Sequence, residues 1–428
     1  MTITYTRLLA PLGVGLSLLG LAACGPRTSQ AQTGEQADTA WINRGISTAV
    51  AQLTLMADSI EGRCGEGDSA FFPRSILNPG PMAKRNPQNW LDSVRLETMY
   101  DWTSGFFPGE LWLAYELTGD TSLADRARRF TNRLAPLQSY TGTHDLGFMV
   151  YCSFGNAYRL RPEAGDSLIL MNASRSLASR FDSTRGVIRS WDFGDWTYPV
   201  IIDNMMNLEM LFWADLQTRD KSFMNICKSH ADRTLRFQYR PDISCCHVAD
   251  YIDPASGDVR QQTFQGYADS SAWARGQAWG LYGYTVCFRA TGEGRYLDRA
   301  RAVADYIMNH PRQAVDGIPY WDYDDPAIPD APRDASAAAV TASALLELYE
   351  LTNRANPAYL GFARQILESL SSDKYLAAAG SNNGFILKHS TGSLPHGSEI
   401  DVPLVYADYY YLEALGRYRN IITPNKKL

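Results

Sequence analysis

The chain has 428 residues, 45% hydrophobic, 12% aromatic and 20% charged, the composition of a globular protein with ample material for a core. Its formal net charge of -6 comes from 46 acidic against 40 basic residues. With no basic stripe it offers no diffuse positive field for nucleic acid or long anionic polymers, so an anionic ligand would need a local cluster of Arg, His and amide donors.

At the N-terminus one Arg precedes an apolar run from Leu8 to Leu21. The run is too short and wrongly flanked for a stable membrane span and reads as a secretory signal. Its end, Leu21-Ala22-Ala23-Cys24-Gly25, resembles the bacterial lipobox, which implies cleavage before Cys24 and acylation of that cysteine. The expectation is an exported lipoprotein, periplasmic or anchored at the outer membrane, that meets the membrane only through its lipid; a plain cleaved signal is the alternative. Residues 1–23 are then signal, 24–40 a polar tether and 41–428 a single domain, since no Pro/Gly/Ser-rich linker interrupts the chain after residue 40. The six further cysteines match no zinc spacing, and a domain this large folds on its core without needing disulfides.

From residue 41 on, one theme repeats. An apolar run such as Leu111-Trp112-Leu113-Ala114-Tyr115 ends in a turn, Thr118-Gly119-Asp120, and an amphipathic stretch follows with Leu123, Ala127, Phe130 and Leu134 on one face. The turn recurs at Thr291-Gly292-Glu293 and Leu351-Thr352-Asn353, with weaker echoes near Asp220 and Gly165-Asp166. Runs that are apolar all round are buried on every side; those with one apolar stripe lie outside them. Six inner helices, entered near residues 104–108, 145, 200, 272, 335 and 402, alternate with six outer ones centred near 50, 128, 174, 228, 302 and 364. This pattern predicts an all-α six-hairpin α/α barrel, a closed toroid, with an open solenoid as the alternative. A short hairpin is expected within 250–264.

The turns occupy one end, so the long loops feed the inner helices at the other. There the polar residues gather: Asp101-Trp102, His144-Asp145, Asp203-Asn204, Ser270-Ser271 ahead of Arg275, Arg333-Asp334 and Ser398-Glu399. Asp203 sits in Val200-Ile201-Ile202-Asp203-Asn204-Met205-Met206-Asn207, where apolar surroundings should raise its pKa toward that of a general acid. Taken alone, Asp203 and Asp145 each also fit a helix-capping role. Together, with Trp102 and Trp279 nearby, they suit a sugar, whose ring faces stack on indoles while acids move protons. Arg275 and Trp279, one helical turn apart, could hold an anionic sugar; a buried Arg paired with an acid is the other reading.

Other signals fail. Gly165-Asp166-Ser167-Leu168 falls in a helix-helix turn, with no Asp-x-x-His partner following as serine esterases need, and the six histidines show no metal-ligand spacing. No cofactor and no metal are expected.

The segments Asp101-Trp102-Thr103-Ser104-Gly105-Phe106-Phe107-Pro108-Gly109, His144-Asp145-Leu146-Gly147-Phe148, Ile202-Asp203-Asn204-Met205-Met206-Asn207, Gln265-Gly266-Tyr267, Trp273-Ala274-Arg275-Gly276-Gln277-Ala278-Trp279 and Tyr406-Ala407-Asp408-Tyr409-Tyr410 together resemble the unsaturated glucuronyl hydrolases of glycoside hydrolase family 88, in order from about residue 95 to 417. The resemblance implies removal of a 4,5-unsaturated uronic acid from the non-reducing end of lyase-made oligosaccharides by hydration of its double bond. It implies Asp203 as proton donor, Asp145 as the second acid, and His247, Gln265, Arg275 and Trp279 as contacts to the uronate. Thr263 and Ser398 would make outer-subsite contacts. The partner would be a glycosaminoglycan- or ulvan-derived oligosaccharide. An unsaturated rhamnogalacturonyl hydrolase and a non-catalytic glycan-binding lipoprotein are the competing readings.

Overall fold

A computed structural model describes residues 29–61, 72–76, 90–91, 93–253 and 257–423. Cys24 and the signal segment lie outside the described residues, as do residues 24–28 of the expected tether. The rest of that stretch, rich in helix-favouring Ala, Gln and Glu, is helical. The chain divides into two compact units, Met1–Thr39 and Ala40–Leu428, and the second carries the fold described next.

The helices are α1 (Ser29–Glu61), α2 (Phe106–Thr118), α3 (Thr121–Asn132), the π-helix Gly147–Gly155 running into α4 (Asn156–Leu160), α5 (Asp166–Ala178), α6 (Asn204–Thr218), α7 (Lys221–Phe237), α8 (Ala274–Thr291), α9 (Gly294–Asn309), α10 (Ala335–Leu351), α11 (Pro357–Leu370) and α12 (Val405–Ile422). Helix α2, the π-helix, α6, α8, α10 and α12 pack side by side, and α12 returns to α2, so the inner ring closes. Closure decides for the toroid over the solenoid. Outer helices α3, α5, α7, α9 and α11 each back an inner one. From residue 41 on, helix α1 backs α12, with Trp41 5.5 Å from Tyr418 and Gly45 against Tyr411.

The turns fold as their sequences dictate. Gly119 and Gly292 end α2 and α8 with φ of 75° and 69°, a left-handed conformation that glycine adopts without strain. Asp120 and Asp220 then cap α3 and α7 by accepting from Ser122 N and Ser222 N at 2.9 and 3.0 Å. Gly165 is also left-handed, at φ 107°, and the following Asp166 is locked to Arg128 at 2.8 Å, so the Gly-Asp-Ser-Leu tetrad is a helix start.

At the mouth the loops form more strands than the sequence pattern shows. Strands β1 (Phe72–Ile76), β2 (Trp90–Leu91) and β3 (Val94–Glu97) make one antiparallel sheet in the order β1-β3-β2. A small hairpin, β4 (Phe181–Asp182) and β5 (Val187–Ile188), precedes a sheet of β6 (Pro199–Ile201), β7 (Val248–Asp253) and β8 (Asp258–Gln262), whose last two strands are the hairpin expected within 250–264. Strands β9 (Ser390–Ser393) and β10 (Ser398–Val402) pair with each other, and β9 packs on α10. Strands this short leave little periodicity to detect. The second inner helix differs from expectation in kind: it opens as nine residues of π-helix, a rare, widened form frequently found at functional sites.

Candidate active site

Strand β6 pairs with β7 in the register Ile201 to Val248, and Ile202 N donates to His247 O at 3.1 Å. That pairing delivers Asp203, the residue before α6, to the mouth beside His247. Asp203 is 8% exposed and its side chain caps no helix N–H. Its Oδ2 has no hydrogen-bond partner and lies 3.7 Å from His247 Nε2. His247 Nδ1 accepts from Phe264 N and Gln265 N at 3.0 and 3.1 Å, which leaves the ring proton on Nε2, facing Asp203. Burial, aided by the Arg275 charge, drives His247 down to about 3, so the ring stays neutral. Burial pushes the Asp203 carboxyl up to about 7, the Asp145 charge adds to the rise, and Arg275 opposes it.

Asp145 sits before the π-helix with its side chain 13% exposed. Its backbone carbonyl accepts from Met149 N at 2.9 Å, but the cap position belongs to Leu146 and no side-chain cap bond forms. The carboxylate instead accepts from Thr143 Oγ1 at 2.9 Å. The capping reading thus ends the same way for both: neither acid is spent on helix N–H groups. Burial also raises Asp145 to about 7, with Asp101 adding to it and Thr143, Asn207 and Arg180 opposing. Because the Asp145 charge helps to raise Asp203, ionisation of Asp145 favours a proton on Asp203. His144, fully buried and held neutral at about 3 mainly by that burial, places Nε2 3.2 Å from Asp145 Oδ1.

The walls are aromatic. Trp102 meets Phe106, Phe148 and Tyr406 at 5.8, 5.4 and 4.9 Å, and Phe148 also meets Trp279 at 5.3 Å, so the two indoles singled out in the sequence share one neighbour. Trp279 is fully buried and its Nε1 has no hydrogen-bond partner, although the indole lies close enough to Asp203 to pull that carboxyl's pKa down. Arg275, 1% exposed, donates from Nη1 to Asp334 Oδ2 at 2.7 Å and to Thr391 O at 2.6 Å, and from Nη2 to Gly392 O at 2.6 Å. It lies over Trp273 and Tyr406 at 4.5 and 5.3 Å. The acid pairing with Arg275 is therefore Asp334, which also caps α10 through Ser336 N at 3.0 Å; neither Asp145 nor Asp203 bonds to it. Arg275 acts on Asp203 through its field.

Of the other expected contacts, Gln265 anchors His247 through its backbone. Thr263 Oγ1 accepts from Gly266 N at 2.8 Å, and Ser398 is buried opposite Ser393 in the β9-β10 ladder. Sequence reasoning missed a rim platform on the loop between β5 and β6: Trp191 meets His247, Phe264, Phe193 and Trp196 at 5.7, 5.2, 5.0 and 5.3 Å, and Phe193 is 55% exposed. Three aromatics among Asp and Gly in Trp191-Asp192-Phe193-Gly194-Asp195-Trp196 were the available signal, since a loop has no packing reason to carry them. Among the described residues no three His, Cys, Asp or Glu side chains cluster to hold a metal ion, and Cys152, Cys227, Cys245, Cys246 and Cys287 are buried free thiols.

A neutral imidazole N–H, an indole and two acids sharing a raised pKa, enclosed by aromatic faces, suit proton transfer to a bound sugar. Comparison with known proteins bears on which sugar chemistry this is. No family model matches the chain. It is 49% identical over 355 residues to an unsaturated glucuronyl hydrolase of Formosa agariphila, covering 82% of this chain and 85% of that protein. It is 34% identical over 336 residues to an unsaturated glucuronyl hydrolase of Bacillus sp. strain GL1, covering 76% and 87%. It matches the crystal structure of an unsaturated glucuronyl hydrolase specific for heparin with a TM-score of 0.81 and 47% identity, over 89% of this chain and 97% of that one.

Proposed function

From the premise that the chain belongs to the unsaturated glucuronyl hydrolase family, a six-hairpin α/α barrel, we propose how its own residues carry out the reaction and on which substrate. It is a glycosidase that removes unsaturated uronic acids from oligosaccharides. In our reading Asp203, protonated, donates to C4 of the unsaturated uronate. It then takes a proton from the water that adds at C5, and the resulting hemiketal opens to release the linkage. Asp145 stays ionised, grips ring hydroxyls and favours a proton on Asp203. His247 Nε2–H and Trp279 Nε1–H hold the face beside Asp203, and Arg275 sets the field for an anionic ring. The single observation that carries this reading is the unpartnered Asp203 Oδ2, buried and facing a neutral imidazole N–H. The platform of Trp191, Phe193 and Trp196 then receives the next sugar.

The substrate we favour is a heparin-derived unsaturated disaccharide, on the strength of the 47% identity to the heparin-specific structure. The decisive assay follows loss of the conjugated double bond's absorbance with lyase-made products of heparin, chondroitin, hyaluronan, ulvan and pectin. Turnover is expected, fastest with the heparin product. No loss with any of them would sink the hydrolase chemistry, and a preference for pectin products would move the chain toward rhamnogalacturonyl substrates. Because one acid must be neutral and the other charged, the rate should pass through a maximum and fall as pH rises through about 7.

We also propose an exported lipoprotein, supported by the Leu21-Ala22-Ala23-Cys24 motif. No described helix is long and apolar enough to cross a membrane. Metabolic labelling with a fatty acid in a bacterial host should mark the wild type and not Cys24→Ala; equal labelling of both would remove the proposal.

A further inference from the structure

We propose that Asn207 is the positioning residue that joins the two acids into one unit, its amide oxygen pinned by the second inner helix and its amide nitrogen thereby presented to Asp145. The proposal rests on Asp145 and Asp203 being the working pair. Asn207 lies four residues after Asp203, so both project from one face of α6. It is fully buried, and its Oδ1 accepts from Phe148 N at 2.9 Å. An amide has one acceptor end and one donor end. Which end is which usually has to be assigned; here a backbone N–H decides it and turns Nδ2 the other way. Nδ2 is buried with no hydrogen-bond partner.

The close approach of the π-helix backbone to Asn207 is built into the sequence. A Cβ at Gly147 would come within 2.5 Å of Asn207 Cα and 2.6 Å of its Oδ1, so only glycine lets the π-helix backbone settle on Asn207. Asp145 is two residues upstream of that glycine. The groups facing Asp145 are Asp101 from the loop before α2, Arg180 from the loop after α5, Asp203 from the head of α6, and its neighbours Thr143 and His144. Among them the Asn207 amide holds the Asp145 carboxyl down against burial. Asn207 thus ties the charge state of one acid to the helix that carries the other.

Two substitutions separate this role from plain anchoring. Asn207→Ala removes the acceptor for Phe148 N and the donor to Asp145. Asn207→Asp keeps the acceptor and removes the donor, except at low pH, where a neutral carboxyl can supply both. Both variants should lose about 10²-fold in kcat near neutral pH with KM changed only a few-fold. Asn207→Asp should melt below the wild type at neutral pH, where it buries a further carboxylate, and should regain both thermal midpoint and rate as pH falls. A wild-type rate and pH profile for Asn207→Asp, with loss confined to a less stable Asn207→Ala, would leave Asn207 a structural anchor and overturn the proposal. If Asn207→Ala does not fold, Asn207→Asp alone decides.

A second readout needs no turnover. The Asp145 carboxyl, titrated by carbon NMR on aspartate-labelled protein and assigned with Asp145→Asn, should move to higher pH in Asn207→Ala; no movement would also overturn the proposal. If the wild type consumes no unsaturated disaccharide, the proposed function fails, while this titration still decides the role of Asn207.

Discussion

Asp203→Asn is expected to lower kcat by about 10³-fold, within the range that a positioned acid and base contributes. An amide in that place keeps size and burial but can neither give a proton to C4 nor take one from water. Substrate should still bind, because the indoles, His247 and the field of Arg275 are untouched. The same variant should be more stable than the wild type at neutral pH. The sign follows from the raised carboxyl: burial lifts Asp203 to about 7 in the fold, against about 4 in an unfolded chain. A folded pKa above the unfolded one stabilises fully below the unfolded value, and that contribution is lost as pH rises through the folded one. At pH 8 the wild type therefore carries the whole cost of a buried charge, which asparagine does not have. The melting temperature of Asp203→Asn should exceed that of wild type by more at pH 8 than at pH 5. A near-normal rate would remove Asp203 as the acid.

Much of this architecture could be read from the residues alone, for physical reasons. Helices buried all round and helices with one apolar stripe have distinct patterns, and Gly119, Asp120 and Gly292 mark turns through local backbone chemistry. Asp203 stood out because a carboxylate amid Val200, Ile201, Ile202, Met205 and Met206 loses hydration, with a helix cap as the competing reading that only its pairing with Asp145 outweighed. What stayed hidden depends on contacts far apart in sequence. Nothing near Arg275 announces that its guanidinium is held by Asp334 and by the carbonyls of Thr391 and Gly392, more than a hundred residues on for the last two. The π-helix was hidden for another reason. In a nine-residue apolar segment, the difference between a 3.6-residue and a wider turn does not change which residues are buried.

Asp145→Asn should cost about 10²-fold in kcat, less than the Asp203 change, since Asp145 acts by its charge and its grip on hydroxyls without transferring the proton. Asparagine preserves a cap as well as aspartate does, so a pure capping role would leave the rate intact. The structure already removes that role: Thr143 Oγ1, and no helix N–H, is the donor to this carboxylate. The stronger discriminator is the pH profile of the residual activity. The Asp145 charge is one of the causes that raise Asp203. Without it, burial alone lifts Asp203, which then loses its proton at lower pH, and the alkaline limb should shift downward. A residue that merely shapes the mouth would reduce the rate at every pH and leave that limb in place. The direction of the shift tests whether Asp145 keeps the proton on its partner, because any loss of binding geometry would enter KM and leave the limb where it was.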